Sequence, residues 1–402
     1  MELARRRPLL KAIFLVSLIA LGGAAISFAA EPLARFPFVF DGRIIVPLRV
    51  NDSPPLDTVL DTGFPQRILM LFHKETGDEL GLTYVRTVNA ARGAGSGENK
   101  PTRLTAGERL GLPGLDLGKL TTAVVDESRA VSPMHNAGII GGAVFIPYVV
   151  EIDFERSLIT LYDPKSFAPE AGWEEVLLVF ERNIPVIETT LRLGDGAEVP
   201  VRLIVDTGGK PQLALVANVG RKIAPAARVV RFLSGTGFRG DVIADHGRLA
   251  ELRFGSHRLS NVVTAFWNED VAPALGETKT DGPLGLGTLY RFNLIFDYTR
   301  GRMLIKPNRY YADPFELNMA GMAVGKTVSG ETVVQFVMEG SEAAKKGLRK
   351  GDVVAAVDGK AAGSYGFLEL KRKFGRDGKS VKVKVERDGV TREVRLKLRR
   401  II

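Results

Sequence analysis

One pattern occurs twice in this chain of 402 residues, and it limits what the chain can fold into. Leu56-Asp57-Thr58-Val59-Leu60-Asp61-Thr62-Gly63 returns as Val201-Arg202-Leu203-Ile204-Val205-Asp206-Thr207-Gly208, and both copies run on into Pro-Gln. Further along, Gly138-Ile139-Ile140-Gly141 returns as Gly282-Pro283-Leu284-Gly285, and Asp153 returns as Asp297. Asp61 and Asp206 are 145 positions apart, and the later landmarks repeat at 144, so one single-residue gap aligns the copies. Chance does not readily give four landmarks in one register, so the chain carries an internal repeat.

Each copy opens with a β-rich run (Ile44 to Val50; Ile184 to Leu193), a polar turn, and an apolar run into Asp-Thr-Gly. That is a hairpin pattern. Each copy closes on a second predicted hairpin, Asp153 to Tyr162 and Asp297 to Ile305. Glycine-rich stretches in between, with Gly93, Gly95 and Gly97 in one copy and Gly235 and Gly237 in the other, suit hairpin tips. The copies cover 36–165 and 176–308, with Pro164 to Trp173 as connector. Asp153 and Asp297 are expected to end buried strands ahead of a turn. Leu69 and Met70 are expected in the core, and the four histidines in structural roles.

A lone Asp-Thr-Gly is usually a turn. Two, each after an apolar strand at matching repeat positions, imply carboxylates brought together by a pseudo-twofold axis. Two carboxylates about 3 Å apart cannot both ionise and share a proton. The ionised member can deprotonate a water while the protonated one polarises a carbonyl. Here the chain resembles the aspartic proteases of the pepsin and retropepsin superfamily, on both triplets and on Ile139-Ile140-Gly141 and Pro283-Leu284-Gly285. The resemblance implies a mostly β, bilobal fold of two β-barrel-like lobes around a cleft. Asp61 and Asp206 would be the catalytic pair. Thr62 and Thr207 would cross-link the two loops, and Gly63 and Gly208 would let backbone amides approach the carboxylates. The glycine-rich tips would form flaps. The single-chain duplication implies a monomer active without a second chain. Phe64 and Gly209 stand where the family carries Ser, Thr or Ala. Loss of a hydroxyl donor there should raise the dyad pKa values and move activity towards neutrality. A catalytically inactive peptide-binding protein built from the same parts is the alternative.

Beyond a linker at 307–314 the pattern changes. The run from Gly340-Ser341 through Gly347-Leu348 and Gly351-Asp352-Val353-Val354 to Asp358-Gly359 resembles bacterial PDZ domains, over 315–402. The resemblance implies an α+β domain that binds extended peptides or protein C-termini by strand addition. Ala320-Gly321-Met322 is the candidate carboxylate-holding loop.

The chain has no cysteine, which excludes disulfides, thiolate metal sites and cysteine nucleophiles. Four histidines without metal-ligand spacing disfavour a zinc hydrolase, and no cofactor or metal is expected. The net charge of +9 divides as +3 over 1–29, −2 over 30–314 and +8 over 315–402, so the basic character sits at the two ends. No nucleic-acid motif accompanies the basic C-terminal part, so nucleic acid is not an expected partner. Arg5-Arg6-Arg7 and Lys11, the apolar run 12–30 and Ser27-Phe28-Ala29 read as a signal peptide at 1–29. Arg6-Arg7-Pro8-Leu9-Leu10 also resembles a twin-arginine signal. The protein is expected in the periplasm or cell envelope, with polypeptide substrates; an uncleaved signal would anchor it to the membrane.

Overall fold

A computed structural model describes residues 31–91, 98–130, 132–216, 223, 228–268 and 278–402. The expected signal segment and Gly93, Gly95 and Gly97 lie outside the described residues.

The two repeats build the same strand arrangement. In the first, Leu56–Leu60 lies parallel to Gly138–Ile140, which runs antiparallel to Leu69–Leu71. In the second, Glu198–Asp206 lies parallel to Gly282–Gly285, which pairs antiparallel with Leu213–Val216. The parts of these strands that lead to the Asp-Thr-Gly turns and pair with their neighbours, Val59-Leu60 and Leu203-Ile204-Val205, are apolar and buried, as strands covered on both faces must be. Leu60, Leu69, Ile140, Val205, Leu213 and Leu284 are all buried in one continuous core. Each Asp-Thr-Gly therefore leaves the end of a central, immobilised strand.

A third sheet joins the halves. Its order is Ala34–Pro37, Leu158–Tyr162, Val149–Asp153, Phe292–Asp297, Arg302–Pro307, Glu174–Leu177, so strands of the first repeat pair directly with strands of the second. Asp153 and Asp297 end the two central strands, as expected. Asp153 Oδ1 accepts from the amides of Glu155 and Arg156, and Asp297 Oδ1 from that of Arg300. They hold turns, and each is also paired with an arginine of its own turn.

The C-terminal unit has its own core, from Met322, Val334, Val354, Val383 and Leu396 among others. Five strands run in the order Met322–Lys326, Thr332–Val337, Val353–Val357, Ser380–Arg387, Val390–Lys397, with helices at Glu342–Lys345 and Phe367–Phe374. In Ser380–Arg387 the valines at 381, 383 and 385 point inwards and Lys382 and Lys384 outwards. Part of the basic excess is thus a solvated sheet face.

Arg248 of the second lobe pins this unit. Its guanidinium donates to the carbonyls of Asn261, Phe315 and Ile402 and to Glu316. Arg291, buried behind it, donates to the carbonyls of Asp313 and Pro314 and covers the Phe315 ring at 3.7 Å. Arg248→Ala should remove charge-assisted bonds that contribute about 2 kcal/mol to docking. Small-angle scattering should then show an increased radius of gyration. An unchanged radius would mean that docking rests elsewhere.

Among the described residues no helix is long and apolar enough to cross a membrane, and no group of His, Asp and Glu could hold a metal ion.

Candidate active site

The repeats bring Asp61 and Asp206 together. Their carboxyl groups face each other around Gly63, near enough to interact directly, at the floor of a cleft of about 1350 Å³ between the lobes. Small-molecule pockets run to roughly 1,000 Å³, so the cleft has room for a stretch of polypeptide.

Thr62 and Thr207 lock the two loops reciprocally. The amide of Thr62 donates to Thr207 Oγ1 (3.0 Å), which donates to the carbonyl of Leu60 (3.0 Å). The amide of Thr207 donates to Thr62 Oγ1 (2.9 Å), which donates to the carbonyl of Val205 (2.5 Å). Both threonines are essentially sealed, at 2% and 0% exposure. Each bond satisfies a buried backbone group that would otherwise cost about 1–3 kcal/mol.

Glycine is required by close approach. A Cβ on Gly208 would lie 2.1 Å from Asp61 Oδ2, and one on Gly63 would lie 3.1 Å and 3.2 Å from the two Oδ1 atoms of the pair. Gly141 and Gly285 serve the loops from behind: Cβ atoms there would lie 2.1 Å from the Asp61 carbonyl oxygen and 2.4 Å from that of Pro211. That contact is the physical content of the repeated hydrophobic-hydrophobic-Gly element.

The pair is electrostatically asymmetric. Burial pushes both carboxyls up, and the charge of Asp206 pushes Asp61 further, well above the ordinary carboxylate value. Asp206 Oδ1 accepts from two amides, Gly208 and Gly209 (both 2.8 Å), whereas Asp61 Oδ1 accepts from one, Gly63 (2.6 Å). More donors favour the charged form. The shared proton therefore rests on Asp61 and the negative charge on Asp206.

The residues at 64 and 209 acquire structural reasons. At Gly209 a Cβ would lie 2.6 Å from Asp206 Oδ2, so a side chain there would press on the carboxylate, and the donor present is the Gly209 backbone amide. Phe64 packs with the apolar wall formed by Val59, Met70, Phe72 and Ile139. Met70, expected in the core, is buried and also lines the cleft.

Gly235 and Gly237 fall in a long hairpin, Val230–Gly237 and Gly240–Phe254, which reaches over the cleft. Its tip crosses to the other lobe, where the Phe238 ring meets Phe72 edge-on at 5.0 Å. Arg43 donates to the Thr236 carbonyl (2.8 Å).

Sequence reasoning missed Arg43 and Lys210. Both line the cleft, and burial, reinforced by Arg43, lowers the Lys210 ammonium to about 8. Lys210 could have been found from its place two residues beyond Gly208. For Arg43 the signal was slight: a charged residue heading the apolar run Ile44-Ile45-Val46. Of the histidines, His73 is buried on the Met134 carbonyl, His135 is bonded to Asp41, His246 is buried on the Ala244 carbonyl, and His257 meets Glu174. None of the four lines the cleft.

In the C-terminal unit Ala320 and Met322 are buried, and Gly321 takes a left-handed φ of 75°. The amides of Ala320 and Gly321 already donate to the Asn318 side chain and carbonyl. A carboxylate bound at this loop would have to displace those bonds.

Comparison with known proteins places residues 315–398 in the PDZ domain family. An aspartic proteinase from Irpex lacteus is similar over 70% of this chain and 99% of its own, at 14% identity and a TM-score of 0.43. The photosystem II D1 C-terminal processing protease is similar over 24% of this chain and 26% of its own, at 22% identity and a TM-score of 0.21. No curated protein matches the chain. The molecule is a mostly β protein of two lobes joined by a shared sheet, with an α+β PDZ domain at its C-terminus.

Proposed function

We propose that this protein is an aspartic endopeptidase of the periplasm or cell envelope, with Asp61 and Asp206 as its catalytic pair. The observation that carries the proposal is the juxtaposition of the two carboxyls, buried on rigid, cross-linked loops at the floor of a cleft of polypeptide size. The basic and apolar leader at 1–29 supports export.

The chemistry follows from the asymmetry of the pair. The Asp206 carboxylate takes a proton from a water, whose oxygen bonds to the scissile carbonyl carbon. Asp61 gives its proton to the carbonyl oxygen, leaving a gem-diol. Asp206 then returns its proton to the amide nitrogen as the C–N bond breaks. Asp61 recovers one from a gem-diol hydroxyl, which restores the pair. One water is consumed, and no covalent enzyme intermediate forms.

The test is digestion of an unfolded polypeptide in ¹⁸O-labelled water across pH 3–8, read by mass spectrometry. Internal cuts with one ¹⁸O at each new carboxyl terminus are expected. Absence of cutting throughout would replace the endopeptidase with a non-catalytic peptide binder. The acid limb should also be displaced. Both carboxyls are pushed up by burial, so the singly ionised pair forms at higher pH than in two ordinary aspartates. An optimum well below pH 4 would contradict this assignment. For the PDZ domain, the free edge of its sheet at Met322–Lys326 suits addition of an extended peptide, as recruitment of substrate requires.

A further inference from the structure

We propose that Arg43 is a positioning residue of the proposed hydrolysis: it latches the flap of the second lobe shut over the carboxyl pair. The inference deepens the endopeptidase proposal and rests on it.

Arg43 is an expensive residue where it stands. Only 5% of it is exposed, and burial works against its charge, yet a guanidinium does not give up its proton in proteins. Its environment is built to hold it. Its amide donates to Asp41 Oδ1 (3.1 Å), and Asp41 Oδ2 bonds to His135 (2.8 Å). Asp41, Asp61 and Asp206 all favour the cation, while Lys210, facing Asp41 from the second active loop, opposes it. The turn is also confined from behind. At Gly42, φ is +93°, and a Cβ would lie 2.9 Å from the Phe367 ring of the PDZ domain. Among the described residues, the hydrogen bond its guanidinium makes outside its own turn goes to the Thr236 carbonyl (2.8 Å).

That carbonyl belongs to a hairpin poorly able to hold itself in place. The ladder slips between Leu233 and Gly235, and Gly235, Gly237 and Gly240 thin out the side chains at its end. The contacts at its tip come from the first lobe, Arg43 on Thr236 and Phe72 under Phe238, and from the PDZ domain, whose Lys350 bonds Asp241 (2.7 Å). Of these contacts, the Arg43 bond is the one made across the cleft by a cation within reach of the pair. A polypeptide entering must break the latch, and remaking it returns a positive charge beside the carboxyls, where it favours the ionised member. Removing that charge should raise the pair's titration and move the acid limb of the rate profile to higher pH.

Hydrogen exchange and kinetics on the full chain test the latch, with Arg43→Met to remove the charge and Arg43→Lys to keep it. In Arg43→Met, exchange of hairpin amides over 233–243 should rise about tenfold as the local opening becomes cheaper. KM should rise more than kcat falls, and the acid limb should move up. Arg43→Lys should return the acid limb to its native position while hairpin exchange stays partly raised. A folded Arg43→Met with native hairpin protection and a native acid limb would overturn the latch. Should Arg43→Met not accumulate as folded protein, unchanged hairpin exchange in Arg43→Lys would do the same. The exchange is read without substrate, so it decides the latch even if the wild type cuts no peptide. Conversely, normal cutting with an unlatched flap leaves the endopeptidase standing and removes only the latch.

Discussion

Asp61→Asn and Asp206→Asn should each reduce peptide cleavage by at least about 10³-fold while leaving the protein as stable as the native chain or more so. The loss follows from the two-proton cycle: an amide at 206 cannot accept a proton from water, and an amide at 61 cannot give one to the carbonyl oxygen. The stability follows from burial. Both carboxyls are raised above the ordinary value of 3.8, so the fold binds their protons more tightly than the unfolded chain does. For a group of that sign, stability is fully present below the unfolded pKa and is lost as pH rises through the folded one. The native protein should therefore match Asp61→Asn near pH 3 and fall behind it progressively above about pH 4. Urea midpoints of both proteins across pH 3–8 read this directly. A mutant that is inactive because it is unfolded, or a gap that shrinks as pH rises, would undo the assignment of the pair.

What could be read in advance divides by range along the chain. The repeated strands, the turn-holding roles of Asp153 and Asp297 and the helix Phe367–Phe374 are written in local pattern, with apolar periodicity and turn residues in sequence. Gly235 and Gly237 announce a hairpin, but nothing local says that Phe238 will rest on Phe72 of the other lobe. The sheet shared by Val149–Asp153 and Phe292–Asp297 is equally silent, since either strand could have ended its own lobe. Arg43 was missed for the same reason: its partner Thr236 lies 193 positions away. Phe64 and Gly209 were legible as departures but not as solutions. The fold shows that the Gly209 amide donates to Asp206 Oδ1 and that a side chain there would press on the carboxylate. The titration asymmetry between Asp61 and Asp206 hangs on that one extra amide.

The same logic gives the largest expected stability change. Gly141→Ala should destabilise the fold by at least about 3 kcal/mol and abolish cleavage. A methyl at 141 would meet the carbonyl oxygens of Asp61 at 2.1 Å and Phe64 at 2.2 Å, both backbone atoms that no side-chain rotation can move aside. Those carbonyls are fixed in turn. The Asp61 amide donates to the Ile140 carbonyl (2.9 Å), the Gly142 amide donates to that of Phe64 (2.8 Å), and the Thr62–Thr207 lock ties the loop to the other lobe. The loop can make room only by breaking bonds that also aim the carboxyl, so stability and activity should fall together. Gly194→Ala is the control: it has open space around it and lies in a surface turn, so its denaturation midpoint should stay within about 0.5 kcal/mol of native. Gly208→Ala separates the two losses. There the obstacle is the Asp61 carboxylate itself, at 2.1 Å, so a rotated side chain can relieve it at the expense of the catalytic geometry. Guanidinium midpoints for the three variants should rank Gly141→Ala lowest, Gly208→Ala between and Gly194→Ala near native, with cleavage absent from the first two. A Gly141→Ala protein with a native midpoint would show that the loop is not seated on this glycine.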